Sequence, residues 1–288
     1  MGIGPRAKKA ATTIHRRWGD GKLRLAMVRT RADFTSRLLP LEDFRYGRYP
    51  HTFVERRPPA DLGGLTTLPR TIWAFWTGSN PMSGARRAGL ERLTSVNSDI
   101  PVVLVTPSNL SEHVLEDHPL HPAYEHLSYT HRSDYLRAYF LHHHGGGYSD
   151  IKPMEHSWSP HFARMEETQA WLLGAALRSP YQTGSNPGRL GIHMRRHYRQ
   201  LVEGSAVVVR SHTPLTAEWL REIERVLTYA APALKESPHD ARGLGADPGY
   251  PLHWTSLLAD VLQPLLLKYS SQVVIDPELW WDAEVSYR

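Results

Sequence analysis

Residues 131–153 have the sequence HRSDYLRAYFLHHHGGGYSDIKP, and this stretch decides the fold that we expect. Its first half predicts a helix, because apolar side chains recur there at helical spacing. Those side chains belong to Tyr135, Leu136, Tyr139 and Phe140. Three glycines at 145–147 end the helix, since glycine readily adopts the left-handed backbone of a helix C-cap. A short strand follows, and Pro153 ends it because proline lacks the N–H that a β-ladder needs.

Polar side chains flank the glycine corner on both sides. We expect Ser133 to cap the helix with its hydroxyl, which places Asp134 and Arg137 near the positive end of the helix dipole. The corner then brings five ligand-type groups to one pocket: Asp134, Arg137, Tyr148, Asp150 and Lys152. Carboxylates bind sugar hydroxyls or a divalent cation, and cationic side chains bind phosphate oxygens. The set therefore suits a ligand that is both a polyol and a phosphate ester.

This block resembles the signature of the DXD-type sugar-binding glycosyltransferases. That family includes capsular polysaccharide synthesis enzymes, yeast outer-chain mannosyltransferases and the glucosyltransferase domains of large clostridial toxins. Its signature is S-D-x-x-R on a helix, followed by G-G-x-Y-x-D-x-D. The chain has S-D-Y-L-R from Ser133 and G-G-Y-S-D-I-K from Gly146, in the same order and separation. The resemblance implies a GT-A-like α/β fold, with a mixed central sheet flanked by helices.

The same resemblance implies an activity and a set of residue roles. The enzyme would move a sugar, of the hexosyl type, from a nucleotide diphosphate sugar to an acceptor hydroxyl. Asp134 and Arg137 would hold the donor sugar and its phosphate, beside Ser133. Tyr148 would contact the diphosphate, and Asp150 the donor ribose, the sugar or a metal. The expected catalytic set is Asp134, Arg137, Asp150 and Lys152.

One position departs from the family's pattern, because Lys152 stands where the second aspartate of D-x-D is expected. The family generally uses a divalent cation, so one interpretation is Mn²⁺ or Mg²⁺ held by Asp150 and other ligands. An ammonium repels a cation at this position. The second interpretation is therefore that Lys152 itself neutralises the donor diphosphate.

A βαβ unit precedes the block. Residues 71–76 (TIWAFW) predict a buried strand, residues 83–96 a helix and residues 102–105 a second strand. Ligands of open α/β sheets bind beyond the carboxyl ends of the strands, where the loop at 77–81 lies. By the resemblance, Trp76 stacks on the nucleotide base. Burial in the core is the alternative for this tryptophan.

The C-terminal half must supply the acceptor site. His253 and Trp254 are our candidates for binding an acceptor or a phosphate, with helix capping as the alternative role of His253. The loop at 181–189 (YQTGSNPGR) is either an ordinary surface loop or a lid that excludes water from the donor. We interpret the histidines at 142–144 as a helix C-terminus, where the dipole favours imidazolium, and not as a metal site.

Composition sets the wider expectations. The 288 residues carry 34 Lys and Arg against 29 Asp and Glu, and no cysteine. We expect a basic, partly helical extension over 1–60 and a glycosyltransferase domain over 61–288. No apolar run reaches transmembrane length and no secretory signal is recognisable, so we expect a cytoplasmic location. The basic arm suits peripheral contact with an anionic membrane at its inner face, whereas no nucleic-acid module accompanies it.

The expected partners are the nucleotide-sugar donor and a carbohydrate, lipid-linked or small-molecule acceptor, as in polysaccharide, glycolipid or other glycoconjugate synthesis. Two alternatives belong to other classes. The first is a non-catalytic nucleotide- or carbohydrate-binding protein, in which Lys152 marks the loss of catalysis. The second is a membrane-surface adaptor that acts through the basic arm.

Overall fold

The computed structural model describes residues 41–237 and 249–280. Residues 1–40 of the basic, partly helical extension that we expected over 1–60 lie outside these ranges. By its internal contacts the chain divides into residues 1–42 and residues 43–288. Residues 43–60, which we expected in the N-terminal extension, therefore lie in the same unit as the predicted glycosyltransferase domain.

Strands and helices alternate along most of the described chain. The strands are β1 (Ile72–Phe75), β2 (Val102–Val105), β3 (Gly146–Ser149), β4 (Leu172–Ala176), β5 (Val202–Val209) and β6 (Val273–Ile275). The helices are α1 (Gly84–Val96), α2 (Tyr129–His143), α3 (Ser159–Glu166), α4 (Gly188–Arg196), α5 (Pro214–Glu236) and α6 (Ala259–Lys268). None of the helices in these ranges is both long enough and apolar enough to cross a bilayer.

The described strands form one sheet in the order β2-β1-β3-β5-β4-β6. The strands β2, β1 and β3 are parallel, and β4 is parallel to β6, whereas β5 runs antiparallel to both of its neighbours. Helices cover both faces: Ile72 packs in a cluster with Trp158, while the next residue, Trp73, contacts Phe140 of α2. The expected α/β class, with a mixed sheet flanked by helices, is confirmed.

Helix α2 begins earlier than we expected. Its N-cap is Ser128, whose hydroxyl accepts the backbone N–H of His131 at 3.3 Å. The prediction that Ser133 caps the helix is wrong, because Ser128 already serves the first turn and no helix breaker separates the two serines. Asp134 and Arg137 therefore lie in the middle of the helix rather than at the positive end of its dipole.

The glycine corner after α2 forms as expected. Gly145 and Gly146 have φ values of 71° and 97°, which side-chain-bearing residues rarely adopt. The backbone of β3 also approaches β1 closely at this point, and Gly147 pairs with Ile72. Because β1 and β3 are parallel, their carboxyl ends reach the same edge of the sheet. The residues that follow these strands, Trp76 and Asp150, therefore open onto one region.

Several local signals predicted element ends well, and others did not. Ser83 caps α1, which was predicted over 83–96, and Thr213 caps α5, which continues to Glu236. Helix α6 begins at Ala259 and includes Pro264 without interruption. Helix α4 occupies the end of the segment that we predicted as a loop over 181–189.

Candidate functional site

A cavity of about 970 Å³ lies beyond the carboxyl ends of β1 and β3. Its walls include all the residues that we expected to bind the donor or to act in catalysis: Trp76, Ser133, Asp134, Arg137, Tyr148, Asp150 and Lys152. Trp254 lines the cavity as well, whereas the side chain of His253 does not line it. The helix, the glycine corner and the strand thus bring the predicted polar groups to one place.

Arg137 is the centre of this polar cluster. The residue is 3% exposed, and its Nη2 donates to the hydroxyl of Tyr148 at 2.9 Å. The same nitrogen lies 3.5 Å from Asp134 Oδ1 and 3.4 Å from Asp150 Oδ1. Within the described residues, Nε and Nη1 of Arg137 have no hydrogen-bond partner. A buried guanidinium that borders a cavity is suited to an anionic ligand.

The two carboxylates beside Arg137 differ in their electrostatics. Burial raises the pKa of Asp134 to about 7, against the opposing effect of Arg137. For Asp150 burial acts in the same direction, but the charges of Lys152 and Arg137 outweigh it and lower the pKa. Near neutral pH, Asp150 is therefore ionised, while Asp134 exchanges a proton easily and can both donate to and accept from a sugar hydroxyl.

Lys152 occupies the position of the second aspartate in the D-x-D pattern. Its Nζ lies 3.1 Å from Asp150 Oδ2, while Asp150 Oδ1 accepts the hydroxyl of Tyr148 at 2.8 Å. Both carboxylate oxygens thus already have partners. Within residues 41–237 and 249–280, no three His, Asp or Glu side chains are placed to hold a metal ion together. These residues do not fit a divalent cation bound as in a D-x-D site.

Trp76 follows β1 and forms part of the cavity wall. Its indole N–H donates to the carbonyl of Asn80 at 2.8 Å, so the loop after β1 holds the ring in place. Trp73, by contrast, is buried and donates to the carbonyl of Gly145 at 2.9 Å. Of the two tryptophans on this strand, Trp73 belongs to the core and Trp76 remains the one available for a ligand.

A second wall of the cavity contains Trp254, which is 44% exposed. The buried imidazole of His131 holds in place the segment that carries Trp254. His131 Nε2 lies 3.0 Å from the carbonyl of His253, so Nε2 carries the proton and Nδ1 accepts the hydroxyl of Tyr250 at 2.9 Å. Burial lowers the pKa of His131 to about 4, which keeps the ring neutral at physiological pH. The expected helix-capping alternative for His253 does not occur, because α6 begins six residues later.

The sequence interpretation missed two charged residues of the cavity. Glu203 on β5 lines the wall near Asp150 and Lys152, and burial raises its pKa. Arg86 on α1 also lines the cavity and donates to the carbonyl of Ile151 at 2.7 Å. Neither residue lies in a motif. Only the antiparallel pairing of β5 with β3, which the sequence does not reveal, places Glu203 there.

The histidines at 142–144 are not stabilised as imidazolium. Burial lowers the pKa of His142 to about 4 and that of His143 to about 3, and neighbouring imidazoles add to the effect. Our expectation that the helix dipole favours the charged form is therefore wrong at these two residues, because desolvation is the larger effect. The lid role of the loop over 181–189 stays a prediction; Gly184 N–H there donates to Gln263 at 2.8 Å.

Comparison with known proteins gives two kinds of similarity. The model of a family described as a glycosyltransferase sugar-binding region containing the DXD motif matches residues 85–157. Among solved structures, the PaToxG glycosyltransferase is 11% identical with a TM-score of 0.40, over 87% of this chain and 79% of that one. Mouse xyloside xylosyltransferase 1, in its apo form, is 9% identical with a TM-score of 0.39, over 73% of this chain and 85% of that one. No curated protein matches the chain.

The matched residues contain α1, α2 and β3 and the polar cluster around Arg137. They also contain the one departure from the pattern, at Lys152. Residues 85–157 are therefore similar to the glycosyltransferase sugar-binding region that contains the DXD motif, with D-x-K in place of D-x-D.

Proposed function

We propose that this protein transfers a sugar from a nucleotide diphosphate sugar to an acceptor hydroxyl. The observation that carries the proposal is the buried guanidinium of Arg137, which lines a 970 Å³ cavity beside Tyr148 and Lys152. A cavity of this size is at the upper end of those that hold small ligands, and it suits a donor with a base, a diphosphate and a sugar. The family match supports glycosyl transfer as the reaction.

The donor would lie along the helix–strand junction. Trp76 offers an aromatic face for the base at one end of the cavity. Arg137 and Tyr148 offer donors to the diphosphate, and Asp134 orients the sugar through its hydroxyls. Such positioning brings the anomeric carbon to a defined place before reaction, and fixed positive charge stabilises the departing diphosphate.

The acceptor would enter along the second wall. Trp254 presents a partly exposed ring there, and aromatic rings combine apolar area with defined geometry for binding the face of a sugar. We place the acceptor among carbohydrates, lipid-linked sugars and small molecules, in polysaccharide, glycolipid or other glycoconjugate synthesis. A cytoplasmic location and contact of the basic residues within 1–60 with an anionic membrane surface complete the proposal.

A panel of nucleotide sugars tests this function. Full-length protein is incubated with UDP-, GDP- and CMP-linked sugars, and binding and nucleotide release are measured with and without simple sugar acceptors. We expect at least one donor to bind and turn over, and Asp134→Ala to abolish turnover while the circular dichroism spectrum is unchanged. Arg92→Ala, which removes an exposed ion pair with Glu155, serves as the active control.

Two results would contradict the proposal. Binding without turnover would favour the non-catalytic alternative, in which Lys152 marks lost activity. Full turnover by Asp134→Ala would remove that residue from the site and with it our account of how the donor sugar is held.

A further inference from the structure

We propose that Lys152 takes the place of the metal ion, so that the donor diphosphate binds to an ammonium and no divalent cation is needed. This inference deepens the proposed function and rests on it. It names the group that neutralises the diphosphate and it predicts the cation requirement of the site.

The carboxylate of Asp150 already has partners within the protein. The carboxylate is 17% exposed and lies between two cationic side chains, with Arg137 at 3.4 Å from Oδ1 and Lys152 at 3.1 Å from Oδ2. The hydroxyl of Tyr148 adds a third partner. A divalent cation at Asp150 would have to displace these contacts and would then lie beside two like charges. Asp150, the aspartate of the D-x-K sequence, is thus already bound by protein groups.

The backbone around Lys152 is held in place at the cavity by several contacts. Arg86 donates to the carbonyl of Ile151 at 2.7 Å, and the Lys152 N–H donates to the carbonyl of Asp150 at 2.8 Å. Helix α1 packs on the same segment so closely that a Cβ at Gly89 would lie 3.3 Å from the Lys152 carbonyl carbon. The ammonium is therefore placed by the fold, and its side chain is only 13% exposed.

Charged side chains surround the cavity and include cations that can bind a diphosphate. Three cationic side chains line it, from Arg86, Arg137 and Lys152, beside three carboxyl groups, and burial raises the pKa of two of these, Asp134 and Glu203. A nucleoside diphosphate brings negative charge that these groups can bind through charge-assisted hydrogen bonds. With a compact ammonium beside a guanidinium, the site supplies the neutralisation that a metal would otherwise provide. The ligand class that fits is a nucleoside diphosphate without its metal.

The experiment measures nucleotide and Mn²⁺ binding directly and does not depend on turnover. Full-length wild-type protein is titrated calorimetrically with UDP and with GDP, in EDTA and in Mn²⁺, and bound Mn²⁺ is counted by electron paramagnetic resonance. We expect one nucleotide to bind equally well in both conditions. Lys152→Met should weaken that binding roughly ten- to hundredfold, and Lys152→Arg should weaken it less.

Lys152→Asp restores the D-x-D pattern and is the sharpest variant. We expect it to gain a Mn²⁺ signal and to bind the nucleotide better with Mn²⁺ than with EDTA. Wild-type binding that requires Mn²⁺ would overturn the inference and leave the proposed function standing. Failure of every nucleotide to bind under any condition would instead count against the proposed function itself. If Lys152→Asp does not fold, unchanged affinity in Lys152→Met would still overturn the inference.

Discussion

Gly146 and Thr71 lie so close together that a Cβ at residue 146 would stand 2.7 Å from the Thr71 carbonyl oxygen. The contact joins the corner after α2 to the start of β1. It also sets the distance between the two strands whose carboxyl ends form the cavity. The corner is thus a structural requirement of the site as well as of the fold.

Gly146→Ala should destabilise the protein. The new methyl group meets the backbone of Pro69 and Thr71, and the φ of 97° is unfavourable for alanine. We expect a loss of roughly 1–3 kcal/mol in the free energy of unfolding, measured by urea denaturation. Gly84→Ala is the matched control, because nothing lies within 4 Å of its Cβ position in the first turn of α1. Equal stability of the two variants would contradict this account of the corner.

Arg137→Met should destabilise the protein and weaken donor binding together. It leaves Asp134 and Asp150 without their shared counter-charge, and breaking a buried ion pair costs about 3–5 kcal/mol. Arg92→Met should cost at most about 1 kcal/mol, since the pair with Glu155 is exposed. Thermal and chemical unfolding of the two variants checks the difference. If Arg137→Met were as stable as Arg92→Met, the cluster would not depend on the guanidinium.

The protein should lose stability as the pH falls below about 6.5. The pKa of His142 is about 4 in the folded state because of burial, and unfolding returns it to its ordinary value near 6.5. As the pH falls, the unfolded state therefore takes up a proton before the folded state does. The stability that the buried neutral imidazole contributes, roughly 2–3 kcal/mol, is lost between those two pKa values. The neighbouring imidazoles of His118 and His212 also lower the pKa of His142.

Unfolding free energies measured from pH 7.5 to 4 check this prediction. His142→Gln should flatten the pH dependence, while His156→Gln, at an exposed position, should leave it unchanged. A slope that is the same in wild type and in His142→Gln would show that the buried imidazole does not contribute.

Glu203→Gln should reduce transfer with little effect on donor affinity. The carboxylate lines the cavity near Asp150 and Lys152. It is therefore placed to accept a hydrogen bond from an acceptor hydroxyl. Loss of a group that takes part in proton transfer typically costs 10²- to 10⁴-fold, and we expect roughly hundredfold in kcat. Glutamine retains an acceptor for Ser205, so the fold is preserved.

Steady-state kinetics with the identified donor separate kcat from KM for this variant, with the exposed Glu167→Gln as control. A change confined to the donor KM would assign Glu203 to donor binding instead.

Local signals carried much of the fold prediction. Ser83 before α1 and Thr213-Pro214 before α5 are strong start signals, and both helices begin there. The valine-rich β2 was predicted with its observed bounds. The same kind of signal failed at α2, where two serines, Ser128 and Ser133, could each cap the helix. Local propensity alone does not distinguish between the two serines. The tertiary contacts of His131 cannot be predicted from a local sequence pattern.

Non-local pairing explains what the sequence could not predict at the site. The motif spacing identified Asp134, Arg137, Tyr148, Asp150 and Lys152, and these side chains do lie together. Glu203 reaches the same cavity only because β5 lies antiparallel to β3. Helix α4 was not predicted because it begins at a glycine, which is a weak helix former. Non-local packing of its buried residues Leu190 and Met194 stabilises it.

The central claim is that the cluster around Arg137 holds the diphosphate of an activated sugar. The most direct measurement is a crystal structure of the protein with the nucleoside diphosphate that binds most tightly. We predict phosphate oxygens within hydrogen-bond distance of Arg137 and Lys152, with the base beside Trp76. A nucleotide bound elsewhere, with Arg137 still contacting only Tyr148, Asp134 and Asp150, would contradict the account.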